Sequence, residues 1–148
     1  MSDRLETLLQ MITSRFNAGR PEDMARLFSD RLPVYSRDGF VLKLSRDETT
    51  RAIREVMDAA RMAGTDHLRY DILGIHSRGS NGACAANVRW DYLRSDGIVV
   101  ETGLVTYFCG QQSDGAYRVL MVEYEKPAFP PALMQSASAR LKHATLFH

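Results

Sequence analysis

The sequence has 148 residues, 19 basic and 18 acidic, with a formal net charge of +1. This length fits one domain, which can bury most of the surface that its unfolded chain would expose. The arginines are scattered along the chain, which argues against a nucleic-acid partner, because such partners require a concentrated basic face. No run of about 18 consecutive apolar residues and no apolar signal core occur, so we expect a cytoplasmic protein without a membrane partner.

Helical periodicity dominates the first part of the chain. Apolar residues recur at helical spacing from Leu5 to Phe16, which predicts a first helix ended by Gly19. Pro21 suits the first position of a second, two-turn helix. The segment from Ser45 to Glu48 fits the S-x-x-E capping box, which predicts a third helix extending to Gly64.

Strand patterns lie between the second and third helices and after the third. Two short strands are predicted over residues 32–35 and 40–44, around the turn Ser36-Arg37-Asp38-Gly39. After Asp66 the chain reads as an antiparallel meander of four strands, at residues 67–76, 83–93, 98–109 and 117–125. In the first of these, the apolar positions switch from even to odd numbers beside Gly74, which predicts a β-bulge.

The faces of the central hairpin follow if Ser95-Asp96-Gly97 is a three-residue loop, because Arg94 then pairs with Ile98. One face would carry Val88, Trp90 and Tyr92 with Val100, Thr102, Leu104 and Phe108, and the other Asn87, Arg89 and Asp91 with Val99, Glu101, Val105 and Tyr107. Both faces contain apolar residues, and the helices can cover only one of them. We therefore expect a homodimer that buries the other sheet face.

The chain changes character after Glu125. Lys126-Pro127-Ala128-Phe129-Pro130-Pro131 cannot continue a sheet, and residues 132–148 have weak helical character. The sequence predicts one domain over residues 1–125 and a Pro-containing tail over residues 126–148. We expect this tail to lie on a dimer partner or to stay mobile.

Motifs for cofactor chemistry are missing from the sequence. Cys84 and Cys109 lie in apolar strand patterns without the CxxC or Cys/His spacing of a zinc site or redox pair. They are predicted to be buried, reduced thiols. Neither a G-x-S-x-G motif nor a glycine-rich phosphate loop leading into a helix occurs, so we expect no cofactor and no metal.

The order of elements resembles the NTF2-like, or SnoaL-like, superfamily. The resemblance rests on the passage from Phe16 to Phe28, the capped third helix, the strand start Asp66-His67 and the closing strand at residues 117–120. It implies an α+β cone in which three N-terminal helices pack on a strongly bent, mainly antiparallel sheet. The superfamily includes isomerases, dehydratases, cyclases, ligand binders and non-catalytic partners, so the resemblance implies a fold rather than one reaction.

Enzymes of this superfamily usually transfer protons in a mostly apolar pocket. In the dehydratase branch a histidine begins the first long strand, where this chain has His67, and Asp91 stands where that branch can carry a second polar group. The resemblance thus implies His67 as general base and Asp91 as its electrostatic partner. Asn17 and Phe16 stand where that branch has a carboxylate and an aromatic hydroxyl.

The steroid-isomerase branch matches less well. Ser36 occupies the position of its catalytic aspartate, and Thr106 or Tyr107 the position of its second acid. We take Tyr35, Trp90 and Tyr107 as the predicted pocket lining for a small apolar ligand.

Two functions remain open from the sequence. One is a small-molecule-binding protein with cofactor-independent acid/base chemistry of the dehydratase, isomerase or cyclase type. The alternative is a non-catalytic ligand-binding or protein-interaction module, in which Arg89, Asp91 and Glu101 would form a cross-strand ion cluster.

Overall fold

Three helices and six strands form in this computed structural model, which describes residues 3–36, 39–79 and 81–135. The helices are α1 (Asp3–Asn17), α2 (Pro21–Ala25) and α3 (Arg46–Met62), and the strands are β1 (Leu32–Ser36), β2 (Val41–Leu44), β3 (His67–Ser77), β4 (Cys84–Leu93), β5 (Val99–Gln111) and β6 (Tyr117–Lys126). The predicted α+β order is confirmed. None of the helices in these ranges is both long enough and apolar enough to cross a membrane.

All six strands belong to one sheet in the order β2-β1-β6-β5-β4-β3. Every neighbouring pair is antiparallel except β1 and β6, which run parallel. We call the sheet face that packs against the helices the inner face and the opposite one the outer face. The buried core lies between the inner face and the apolar sides of α1 and α3.

Helix α1 ends as the sequence predicts, and its last residue also contacts the sheet. Gly19 adopts a positive φ of 69°, and the Arg20 amide donates back to the carbonyl of Arg15 at 3.0 Å. The Asn17 side chain accepts a hydrogen bond from the Leu68 amide at 2.8 Å. Because β3 is an edge strand, this contact uses a backbone donor that has no strand partner on that side.

Helix α3 begins with the predicted capping box. The Glu48 amide donates to the Ser45 hydroxyl at 3.2 Å, and the Ser45 amide donates to the Glu48 carboxylate at 3.0 Å. These two hydrogen bonds satisfy amides that a helix N-terminus otherwise leaves unpaired. The Ser45 amide, followed by its hydroxyl, lowers the pKa of the Glu48 carboxyl group below its usual value.

The predicted bulge in β3 is confirmed. Ile72 pairs with Val88 and Gly74 pairs with Asn87, which leaves Leu73 as the extra residue. The β3 residues on the inner face therefore have even numbers before the bulge and odd numbers after it.

A second bulge makes the predicted face assignment of β5 wrong. The three-residue loop itself is present, since the Arg94 amide donates to the Ile98 carbonyl at 2.9 Å. However, Leu93 pairs with Val99 while Tyr92 pairs with Glu101, so Val100 is an extra residue in β5. One extra residue exchanges the two faces of the strand beyond it.

The inner face consequently combines Trp90 and Val88 of β4 with Tyr107 and Val105 of β5. The outer face combines Asp91 with Thr102, and Asn87 with Thr106.

Cys84 and Cys109 are buried free thiols, as predicted. They lie directly opposite each other on β4 and β5. No spacing rule for short motifs detects such a pair, because the register of two strands brings the residues together.

The first part of the tail folds back onto its own chain. We call residues 127–135 the strap. It includes a helical turn at residues 132–135, whose first amide, that of Ala132, donates to the Glu55 carboxylate of α3 at 3.2 Å. Met134 is buried against Phe40. The strap therefore differs from the expected mobile or partner-bound tail, while residues 136–148 and the predicted turn positions Arg37 and Asp38 lie outside the described ranges.

Gly103 allows the strap to approach the sheet closely. A Cβ atom at this position would lie 3.3 Å from the Ala128 Cβ, 3.4 Å from the Ala128 nitrogen and 3.4 Å from the Lys126 carbonyl oxygen. Two of these neighbours are backbone atoms, which cannot move without moving the strap.

The substitution Ser45→Ala should lower the free energy of unfolding by about 1 kcal/mol, because it removes the capping hydroxyl. Chemical denaturation measures the change. Ser95→Ala, in the exposed hairpin loop, is the matched control and should change stability by less than about 0.5 kcal/mol. Equal effects of the two substitutions would contradict a role for the capping box.

The substitution Gly103→Val should displace the strap and lower the free energy of unfolding by about 1–3 kcal/mol through overpacking. Hydrogen exchange at the amides of Ala132, Met134 and Gln135 should accelerate. The control Gly74→Val places its side chain near only the Asn87 amide group. Unchanged exchange in Gly103→Val would show that the strap does not depend on this close approach.

Candidate functional site

A cavity of about 110 Å³ lies between the inner face of the sheet, the helices and the strap. Helix α3 contributes a stripe at helical spacing, formed by Thr49, Ala52, Ile53 and Val56. The rest of the lining comes from α1, α2, all six strands and the strap. It includes Phe16, Phe28, Leu68, Trp90, Tyr92, Tyr107, Val122, Tyr124, Phe129 and Leu133.

No Asp, Glu, His, Lys or Arg side chain is among the described residues that line this cavity. Its polar groups are the hydroxyls of Thr49, Tyr92, Tyr107 and Tyr124 and the indole N–H of Trp90. Transferring a charged group into such surroundings is costly, because nothing there pairs with it. The cavity therefore suits an uncharged molecule.

Trp90 and Tyr107 form the polar contact at the centre of the inner face. The Trp90 indole Nε1 donates to the Tyr107 hydroxyl at 2.9 Å, and both side chains are buried. Their rings meet edge to face, with centroids 6.3 Å apart. This contact exists because the bulge at Val100 turns Tyr107 to the same face as Trp90.

Burial keeps the tyrosine hydroxyls of the cavity protonated. It raises the pKa of Tyr124 to about 12 and raises the pKa values of Tyr92 and Tyr107 further above the usual value for tyrosine. These hydroxyls can donate or accept hydrogen bonds but do not act as bases near neutral pH.

The strap closes the cavity through an aromatic contact. The Phe129 ring meets the Tyr92 ring edge to face at a centroid distance of 5.0 Å, and Tyr92 also contacts Phe16 of α1 at 5.9 Å. A molecule larger than the cavity therefore has to move the strap. Sequence reasoning missed this role of the strap, because a Pro-rich segment carries no periodic signal for what it covers.

Two of the predicted lining residues, Trp90 and Tyr107, line the cavity, whereas Tyr35 does not. Tyr35 is 38% exposed and pairs with Glu123 on the outer face, next to Val34, which points inward. Alternation along β1 causes this difference, since neighbouring residues of a strand point to opposite faces.

His67 lies outside the cavity, on a shallow groove at the end of α1. Its side chain is 44% exposed, and its Nδ1 atom lies 2.6 Å from an Asp66 carboxylate oxygen. Along the β3–β4 pair, His67 stands opposite Leu93 rather than Asp91. The structure therefore does not bring His67 and Asp91 together.

Asp91 belongs to an ion cluster on the outer face. Its carboxylate accepts a hydrogen bond from the Thr102 hydroxyl at 2.9 Å and lies 3.1 Å from Arg69 and 3.6 Å from Arg89. Arg89 also bonds Asp71 at 3.0 Å. The cluster expected from the sequence thus forms, with Arg69 and Asp71 in place of Glu101, which the Val100 bulge turns to the other face.

Within the described ranges, no three His, Cys, Asp or Glu side chains come together in a way that could hold a metal ion.

Solved structures with the same architecture come from several bacteria. A domain of unknown function with a cystatin-like fold from Nostoc punctiforme PCC 73102 has a TM-score of 0.62 at 16% identity, over 97% of this chain and 91% of its own. An NTF-2 like protein of unknown function from Shewanella oneidensis MR-1 has a TM-score of 0.59 at 19% identity, over 84% of this chain and 98% of its own.

A ketosteroid isomerase-like protein from Erwinia carotovora atroseptica SCRI1043 has a TM-score of 0.57 at 12% identity, over 83% of this chain and 93% of its own. At these identities the similarity shows the fold alone.

No curated protein matches the sequence. A sequence family does match it, from residue 3 to residue 126, which covers the helices and the whole sheet. The chain therefore belongs to the family described as NTF2-like protein (DUF6841).

Proposed function

We propose that this protein binds a small, uncharged and mainly apolar molecule in the cavity. The observation that carries the proposal is the lining itself, which is apolar and aromatic around a few uncharged polar groups. Such a composition is typical of small-molecule sites, where apolar walls supply affinity and a few polar groups orient the ligand.

The volume limits the size of the molecule. A dry apolar cavity of about 150 Å³ is known to hold benzene. The present cavity, at about 110 Å³, is smaller. With the strap closed, it suits a compact molecule such as a five-membered ring, and larger ligands require the strap to move.

Binding has more support than acid/base catalysis. His67 and Asp91, the pair on which the catalytic hypothesis depends, lie outside the cavity and apart from each other. The acidic groups among the described lining residues are tyrosine hydroxyls whose pKa values burial raises, so they do not serve as bases at neutral pH. The similarity to a ketosteroid isomerase-like protein supports the fold but identifies no catalytic residue in this chain.

Filling the cavity should weaken binding. Cyclopentane is the probe, and the fluorescence of Trp90 reports its binding, because Trp90 is the single tryptophan and lines the cavity. In Ala52→Leu the longer side chain should occupy the space and weaken binding by about tenfold or more. The control Ala59→Leu changes a half-buried alanine of the same helix outside the lining. Equal binding by both variants would contradict the assignment of the site.

A second copy of the chain is the partner that we propose for the outer face. This face carries the half-exposed side chains of Leu104, Phe108 and Met121 beside the ion cluster of Asp91, and further along it the exposed Tyr35 and Val41. A face that mixes apolar and paired charged residues can be self-complementary in a two-fold dimer. A different protein partner is the alternative outcome.

The substitution Phe108→Lys should turn a dimer into a monomer, because it places an unpaired charge at the centre of the proposed interface. Light scattering coupled to size-exclusion chromatography gives the mass. Met62→Lys is the matched control, since Met62 is 89% exposed at the end of α3 and lies outside the outer face. A monomeric unmodified protein, or a Phe108→Lys protein of unchanged mass, would contradict the proposal.

A further inference from the structure

Thr49 presents a buried hydroxyl without a partner at the cavity wall. The residue is 4% exposed, is the fourth residue of α3 and lines the cavity. Its Oγ1 atom makes no hydrogen bond to any of the described residues. Buried polar side-chain atoms are nearly always paired in folded proteins, so this hydroxyl requires an explanation.

Two other helical threonines satisfy their hydroxyls within the helix. Thr50 donates to the carbonyl of Arg46 at 2.9 Å, and Thr13 donates to the carbonyl of Leu9 at 2.7 Å. This bond to the carbonyl four residues earlier is the usual solution for a threonine in a helix. Thr49, next to Thr50 in the same helix, does not use it.

The neighbours of this hydroxyl on α3 offer a water no hydrogen-bond partner from their side chains. A buried water normally makes about three hydrogen bonds, and the side chains beside Thr49 on the α3 stripe are Ala52, Ile53 and Val56. A molecule that brings both an oxygen and an apolar body would satisfy the hydroxyl and fill the cavity together.

We propose that the ligand of the cavity carries a neutral oxygen, as a carbonyl or hydroxyl, which hydrogen-bonds to Thr49 Oγ1. This inference rests on the proposed function and adds the chemical class and orientation of the ligand. The apolar remainder lies against the aromatic wall of Trp90 and Tyr92. A carboxylate is excluded, because no cationic side chain is among the described lining residues to pair with it.

The position of Thr49 in the helix supports an oxygen at this point. The first turn of a helix carries a positive potential, which favours the partial negative charge of a carbonyl oxygen. A threonine hydroxyl can donate to a carbonyl or exchange both roles with another hydroxyl. Thr49 therefore acts as a positioning contact for the polar end of the ligand.

The test uses two probes of the same shape. Cyclopentanone carries the oxygen, and methylenecyclopentane replaces it with a methylene group. The ratio of their affinities is measured by Trp90 fluorescence for the unmodified protein, for Thr49→Val and for Thr50→Val. In Thr49→Val, which keeps the shape and removes the hydroxyl, the preference for the ketone should fall by about fivefold, as expected for one lost hydrogen bond. Thr50→Val, whose hydroxyl bonds within the helix, should leave the ratio unchanged.

The outcomes separate the two proposals. If the unmodified protein binds neither probe, the proposed function fails and this inference fails with it. If it binds both probes and Thr49→Val leaves the ratio unchanged, the cavity binds apolar molecules but the assignment of Thr49 is overturned.

A measurement without ligand provides an independent check. Thr49→Val should raise the midpoint of thermal unfolding of the free protein, because it removes an unpaired buried hydroxyl. A lower midpoint would show that the hydroxyl has a partner within the protein, and would overturn the inference. Thr50→Val should lower the midpoint, because it removes a hydroxyl that is satisfied.

Discussion

The register between β4 and β5 is the constraint on which the site depends. A single extra residue, Val100, exchanges the faces of β5 and turns Tyr107 inward beside Trp90. The same shift brings Thr102 to the outer face beside Asp91, which alternation along β4 already places there. Since side chains alternate along a strand, no intermediate arrangement exists between these two registers. One bulge therefore decides which side chains of β5 line the cavity and which lie beside the ion cluster of Asp91.

Separating the two faces gives each a different physical character. On the inner face, burial raises the pKa values of the tyrosines and no lining residue of the described chain is charged, so affinity has to come from apolar contact and hydrogen bonds. On the outer face, the carboxylate of Asp91 is buried but paired with two arginines and a hydroxyl. A paired, hydrogen-bonded charge is tolerated where an isolated one would not be. The charged groups of Asp91, Arg69 and Arg89 thus lie on the surface that we propose for assembly, and not in the cavity.

The strap links the cavity to the stability of the fold. Its aromatic contact with Tyr92 and its hydrogen bond to Glu55 close a site that the sheet and helices alone leave open. Gly103 permits the approach because it has no side chain to separate the backbones.

Local signals in the sequence determined the helices, their caps and the first bulge. The S-x-x-E box, the apolar stripe of α1 and the switch of periodicity beside Gly74 each act within a few residues, so they can be read without the fold. Trp90 and Tyr107 were also predictable as lining, although on opposite faces. Only the tertiary structure decided that they meet, that His67 and Asp91 do not, and that the Thr49 hydroxyl has no hydrogen-bond partner among the described residues. Each of these facts depends on strand register and on the path of the strap, which are set by packing between residues far apart in the chain.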